Sequence, residues 1–257
     1  MIKTIKARVH QKYRTTSFPK AIPELPERYR GLPQINSADC NSYCTACVDV
    51  CPVSAIAKTN GKISLDLGRC IFCGKCAEAC MTECLSFSKD YRLAARSREA
   101  LFIQENISFD QAGKLKSEFL RLFGRSLKLR QVSAGGCNAC EADVNVLSTV
   151  GWDLGRFGIK FVASPRHADG LLVTGPVTEN MREALLKTYE AVPSPKIVIA
   201  AGSCALSGGL FRGHEQTAEG VDQLIPVDLY IPGCPPHPLT ILDGMLRLLG
   251  KIKTPYR

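Results

Sequence analysis

Thirteen cysteines stand in the 257-residue sequence, and eleven of them have only two or three residues between themselves and another cysteine. Disulfide stapling favours partners far apart in the chain, whereas short spacing suits several thiolates converging on one small inorganic core. The chemistry on offer is therefore that of iron held by sulfur. The cleaner of two runs reads Cys70-x2-Cys73-x2-Cys76-x3-Cys80. At this spacing one tight loop wraps three corners of a [4Fe-4S] cubane, its backbone N–H groups offset the charge of the sulfides, and Gly74 permits close approach of the backbone. The other run, Cys40-x3-Cys44-x2-Cys47-x3-Cys51-Pro52, is one residue longer in its first gap. A bulged loop absorbs the extra residue, and Cys40 is kept as a ligand because the cluster is otherwise one thiolate short.

Where two such runs pair, the fourth cysteine of each serves the other cluster. That rule assigns Cys40, Cys44, Cys47 and Cys80 to one cluster and Cys70, Cys73, Cys76 and Cys51 to the other. Cys84 is left over, either a buried free thiol or a substitute ligand should Cys40 not bind. Structural zinc also uses C-x2-C pairs, but two four-cysteine runs with a proline after Cys51 fit clusters better. The remaining four cysteines, Cys137-x2-Cys140, Cys204 and Cys234-Pro235-Pro236, are dispersed and can meet only through the fold.

The elements that must bring them together are legible as apolar periodicity. Leu127 to Val132, Phe161 to Ala163, Gly170 to Thr174, Lys196 to Ala201 and Val227 to Ile231 read as short strands, while Thr178 to Ala191 and Leu239 to Ile252 have helical spacing. Strands alternating with helices predict an α/β domain with a parallel sheet, whose loops after the strand C-termini gather at one edge. Each dispersed cysteine falls just past such a strand. Residues 36–88 contain two Cys-rich runs, each followed by a brief apolar segment, which predicts a pseudo-symmetric α+β unit.

The expected organisation is a basic amphipathic arm and Pro-rich strap over 1–35, the two-cluster unit over 36–88, a linking or docking segment over 89–126, and the α/β unit over 127–257. In the arm, Ile2, Ile5, Val9 and Tyr13 recur at helical spacing among basic residues, as in a segment that lies on an anionic membrane surface or in a partner's groove, or in a solvated arm. The net charge of +9 is concentrated in residues 1–30, with eight Lys/Arg against two acids, and in residues 86–130, with ten against five. Ligating thiolates offset much of it, and no aromatic-studded basic motif accompanies it, so a nucleic-acid partner is not expected. The first residues lack the pattern of a secretory signal and no stretch is long and apolar enough to span a bilayer, so a reducing, cytosol-facing location is expected.

The surroundings of the dispersed cysteines are specific: Gly135-Gly136-Cys137-Asn138-Ala139-Cys140-Glu141, Pro165-Arg166-His167-Ala168-Asp169, Gly202-Ser203-Cys204-Ala205 and Pro232-Gly233-Cys234-Pro235-Pro236. Over residues 127–250 the chain resembles the small subunit of membrane-bound, energy-converting group 4 [NiFe] hydrogenases and its relative in respiratory complex I. The front half, with Tyr29-Arg30-Gly31-Leu32-Pro33 before the first run, resembles the separate two-cluster ferredoxin subunit of the same complexes, as in those of the formate hydrogenlyase type. The resemblance implies a fusion of a ferredoxin-like domain to a parallel-sheet hydrogenase-small-subunit-like domain, carrying three [4Fe-4S] clusters in all. It further implies that Cys137, Cys140, Cys204 and Cys234 bind the proximal cluster, nearest the nickel–iron site of a partner large subunit. Glu141 would then help proton movement or cap a helix, and Arg166, His167 and Asp169 would hold loops and the subunit interface.

Two residues separate Cys137 from Cys140, as in hydrogenases, whereas complex I subunits carry adjacent cysteines there. The implied role is an electron-transfer subunit of an oxidoreductase with its active site on a partner. The implied setting is the cytoplasmic face of the cell membrane, among other peripheral-arm and membrane subunits, with a donor module such as formate dehydrogenase or ferredoxin. The alternative is a complex-I-like module that passes electrons to quinone or an ion-pumping arm without hydrogen chemistry. Departures from the ferredoxin pattern are the longer first gap and Met81 where proline usually follows.

Overall fold

The charge-free runs Gly170–Thr174 and Ile197–Ala201 need cover on both faces, as strands of parallel sheets do. In the computed structural model of the chain, which describes residues 2–38, 40–41, 43–59, 61–105 and 108–252, every residue of both runs is buried. The tail 253–257 of the expected α/β unit lies outside the described residues.

Helix α1 (Ile2–Gln11) has no buried residue. The chain then passes through turns at 18–20 and 27–28 to β1 (Pro33–Ile35), so the expected extended strap is broken by hydrogen-bonded turns, and it is anchored on the way by Phe18 against Tyr91, ring centroids 6.1 Å apart. The two cysteine runs build the expected repeat. The first contributes α2 (Ala46–Asp49) followed by β2 (Ile56–Thr59) and β3 (Lys62–Asp66). The second contributes α3 (Lys75–Glu78) and β4 (Leu85–Phe87), and β4 closes on β1 antiparallel with Ile35 opposite Leu85.

The segment expected to link the units is woven into both. Its strand β5 (Phe102–Gln104) pairs with β3, completing the sheet β2-β3-β5. Ala95 exchanges both backbone hydrogen bonds with Tyr230, at 3.0 and 2.9 Å, and Leu115 N–H donates to the Leu248 carbonyl at 2.9 Å. Among the described residues the helix-favouring composition there yields one α-helix, α4 (Ser117–Phe123), besides a short 3-10 turn at Glu99–Leu101, because backbone groups committed to neighbouring elements are unavailable to a helix.

From β6 (Leu127–Ser133) the chain alternates: α5 (Ala139–Val146), β7 (Ile159–Phe161), β8 (Gly170–Thr174), α6 (Glu179–Ala191), β9 (Ile197–Ala201), α7 (Ser203–Ser207), β10 (Leu229–Ile231) and α8 (Pro238–Leu248). The five strands lie in the order β10-β9-β8-β6-β7, all neighbours parallel. The strand expected at 161–163 starts at Ile159, directly after Gly158 at φ +73°, and the last helix stops before Gly250 at φ +65°. Left-handed glycines of this kind punctuate elements at those points.

One apolar core joins Ile56, Leu65 and Leu101 of the front unit to Val173, Val198 and Tyr230 of the sheet unit. The other sheet face, with Leu172 and Ile199, packs on α8. All eleven residues of α8 are buried, and each of its large apolar side chains contributes roughly 2 kcal/mol. Asp243 and Arg247 are buried with them and pair at 2.7 Å, so neither charge is left uncompensated.

Candidate functional site

The charges that the cysteines feel from one another link them in three sets: Cys40, Cys44, Cys47 and Cys80 with Cys84 beside them, then Cys51, Cys70, Cys73 and Cys76, then Cys137, Cys140, Cys204 and Cys234. In the first, burial pushes the Cys47 thiol up, and negative charge on Cys40, Cys80 and Cys44 adds to it. Lys58 braces the long first gap: its ammonium donates to Cys40 Sγ at 3.2 Å and to the carbonyls of Asn41 and Cys44 at 2.5 and 2.9 Å. Burial raises the Cys80 thiol too, but the Thr82 hydroxyl and the N–H groups of Leu85, Cys84 and Thr82 outweigh it and hold it below the usual thiol range. Cys84, 1% exposed, contacts Thr82 Oγ1 at 3.0 Å and feels the charge of Cys80 and Cys40.

In the second group, burial pushes Cys70 up to about 12 and Cys76 up to about 11, with Cys51 and Cys73 adding to both. Backbone N–H groups answer the sulfurs: Phe72 donates to Cys70 Sγ at 3.3 Å and Ala55 to Cys51 Sγ at 3.2 Å. Phe72 at φ +55° and Gly74 at φ +83° bend the loop, and a Cβ on Gly74 would strike the Arg30 guanidinium.

The third group stands at the carboxyl edge of the parallel sheet. Cys137 and Cys140 follow β6, Cys204 follows β9 and Cys234 follows β10. Burial raises Cys140, and charge on Glu141, Cys204, Cys234 and Cys137 adds to it; Cys204 is pushed up to about 11 by burial, then by Cys234 and Cys137. The chain passes from β6 to β7 on one side and then to β8 on the other, so the β6–β8 crevice is a topological switch point, where such sheets place ligands. Glu141 bridges that crevice: Ser133 of β6 and Thr174 of β8 both donate to its Oε1 at 2.6 Å. Burial raises this carboxyl, yet the two hydroxyls outweigh it and keep it ionised more readily than usual. Glu141 lies in the first turn of α5, whose N-cap residue is Asn138.

Arg166, His167 and Asp169 lie at the opposite edge, before β8 begins. There Asp169 accepts the Lys128 N–H at 2.7 Å and fixes the strand start.

The donor sets suit iron–sulfur clusters: soft thiolates, N–H groups aimed at sulfur, and glycines where a side chain would intrude. A Cβ on Gly202 would lie 2.5 Å from Cys140 Sγ, and one on Gly209 would lie 2.8 Å from Cys204 Sγ. Among the described residues no three Cys, His, Asp or Glu side chains stand as one metal ion requires. Sequence reasoning missed Lys58, Ser133, Thr174 and Ser203, whose partners lie eight or more residues away and carry no spacing signal.

Residues 137–248 match the family described as "NADH ubiquinone oxidoreductase, 20 Kd subunit", and residues 32–81 match a "4Fe-4S dicluster domain". A probable membrane-bound hydrogenase subunit mbhJ of Pyrococcus furiosus is 44% identical over 136 residues, which cover 53% of this chain and 81% of that one. The chain belongs to the 20 kDa subunit family. Formate hydrogenlyase subunit 7 of Escherichia coli is 41% identical over 61% of this chain and 62% of its own length. An NADH-quinone oxidoreductase subunit of Desulfovibrio desulfuricans is 46% identical over 44% of this chain and 61% of its own. With its dicluster domain, this family member is an iron–sulfur electron-transfer subunit of an oxidoreductase. Among the described residues no helix is long and apolar enough to cross a membrane.

Proposed function

We propose that the chain relays electrons singly through three [4Fe-4S] clusters, held by Cys40/Cys44/Cys47/Cys80, by Cys70/Cys73/Cys76/Cys51 and by Cys137/Cys140/Cys204/Cys234. The far end of the relay is the nickel–iron site of a partner large subunit in a membrane-bound, energy-converting hydrogenase. The observation that carries this reading is the sorting of twelve cysteines into three fours, the last with Cys137 and Cys234 exposed at a sheet edge open to a partner. Bound clusters supply reversible one-electron chemistry. The chain's own residues set its conditions: burial keeps water from Cys70, N–H groups stabilise sulfur charge, and Lys58 does so for Cys40.

A donor module such as formate dehydrogenase or ferredoxin docks at the first group, where Tyr43 and Met81, neighbours of Cys44 and Cys80, are 94% and 98% exposed. The α1 arm rests on the cytoplasmic membrane surface, Ile2, Ile5 and Val9 toward lipid, because the first acid in the chain is Glu24 while six Lys/Arg precede it. Glu141 is the proposed start of a proton path past the third group. The second reading, a complex-I-like module serving quinone, draws on the likeness to the NADH-quinone oxidoreductase relative.

Purification of the native complex decides between them. Nickel in a companion subunit with hydrogen turnover supports the first reading, and quinone reduction without nickel supports the second. In the same complex Glu141→Gln is expected to slow turnover while every cluster signal persists.

A further inference from the structure

The second and third cysteine groups belong to different units of the fold, yet one buried hydroxyl joins them. Ser203 opens α7, directly before Cys204, and is 1% exposed. Its Oγ donates to the Cys70 carbonyl at 2.6 Å. The other acceptor in reach is the Gly233 carbonyl at 3.1 Å, which already takes the Ser203 backbone N–H at 2.8 Å. A hydroxyl has one proton, so it goes to Cys70. One turn later Ser207, 3% exposed, reaches the Gly68 carbonyl at 2.9 Å. The loop into the second run is thus clasped from the sheet unit at two points. From its other side Asp66 accepts the Gly68 N–H at 2.9 Å and a bidentate Arg98 at 2.7 and 2.6 Å.

We infer that Ser203 is a positioning residue for electron transfer, and that its hydroxyl supplies the one non-covalent step on a bonded route between the second and third groups. The route runs from Cys70 Sγ through that residue's backbone to its carbonyl, across the 2.6 Å hydrogen bond, and through Ser203 to Cys204 Sγ. Electronic coupling falls off less along covalent bonds and a short hydrogen bond than across a van der Waals gap. A cluster held by the Cys70 group would give up one electron and a cluster held by the Cys204 group would take it up. No bond breaks and no proton has to move. Ser207 holds the same loop but stands off this route. The inference rests on the three-cluster reading above.

The test uses the iron-loaded full chain under anaerobic conditions, with Ser203→Ala, Ser203→Thr and Ser207→Ala. Iron per chain and the EPR signal of each reduced group are measured first, then the freeze-quench rate at which reduction passes from the front groups to the third. Ser203→Ala is expected to keep its iron and signals while transfer slows by an order of magnitude, Ser203→Thr to restore the rate, and Ser207→Ala to stay near wild type. A full-iron Ser203→Ala at the wild-type rate overturns the inference, as does a full-iron Ser203→Thr as slow as Ser203→Ala is expected to be. Equal slowing by Ser207→Ala also overturns it, since the clasp would then act only mechanically. Wild-type chain without iron overturns the functional reading itself and is distinguishable from all of these.

Discussion

Gly202→Ala sets backbone strain and a sulfur clash at the third cysteine group against each other. Gly202 has φ +93° and ψ +148°, a region nearly closed to other residues, so the substitution stores roughly 1–3 kcal/mol of strain. Strain of that size lowers Tm by about 2–4 °C per kcal/mol in a chain of this length. The added Cβ also lies 2.5 Å from Cys140 Sγ, where ordinary contact begins at 3.4 Å. The sulfur must retreat by about 1 Å, several times the roughly 0.2 Å that a metal–ligand distance tolerates. Two controls divide these effects. Gly213 has φ +78° with nothing within 4 Å of its Cβ position, so Gly213→Ala carries strain alone, and Gly113, equally open and not at positive φ, carries neither. Iron analysis, EPR of the dithionite-reduced chain and thermal unfolding are read on all three. Gly202→Ala should lose one set of cluster signals and the matching share of iron while the front signals persist, whereas Gly213→Ala should lose only stability. Full iron in Gly202→Ala, with a Tm like that of Gly213→Ala, refutes the placement of a cluster at this group.

Lys58→Met removes the ammonium from Cys40 Sγ; the first group's midpoint potential should fall by about 60 mV for each 1.4 kcal/mol by which the charge favoured the reduced form, read by EPR-monitored titration, and an unchanged potential places Lys58 in a purely mechanical role. Arg247→Met strands Asp243, whose carboxyl burial already raises, and should cost about 3–5 kcal/mol at neutral pH. Because a raised folded pKa favours the protonated form, the deficit should shrink as pH falls toward the ordinary carboxylate range and grow as pH rises, checked by urea unfolding at acidic and neutral pH. The intact chain should sediment with vesicles containing anionic lipid and release with added salt, while a chain lacking residues 1–14 should not; equal binding to neutral vesicles contradicts the electrostatic reading of α1.

Much of this architecture was legible because its signals are local. The run Gly170–Thr174 is apolar throughout and emerged with the expected bounds, since a strand covered on both faces has nothing to alternate. The two short-spaced cysteine runs could be read from spacing because the loop around a cubane is set by nearest neighbours in the chain, whereas Cys137, Cys140, Cys204 and Cys234 are dispersed and carry no such local signal. What stayed hidden is non-local. The segment after Lys89 looked like a linker by composition, but Ala95 and Phe102–Gln104 pair with strands far away in sequence, which no periodicity announces. Lys58, Ser203 and Ser207 matter through the carbonyls and sulfur they reach across 14 or more residues, and an isolated lysine or serine carries no mark of that. Cys84 is buried, as a free thiol there was expected to be.

Counting iron and acid-labile sulfide in the anaerobically purified chain, alongside its EPR spectrum, tests the relay most directly. About twelve irons per chain, in three separable reduced signals, is the predicted result. Colourless protein, or zinc in place of iron, contradicts it.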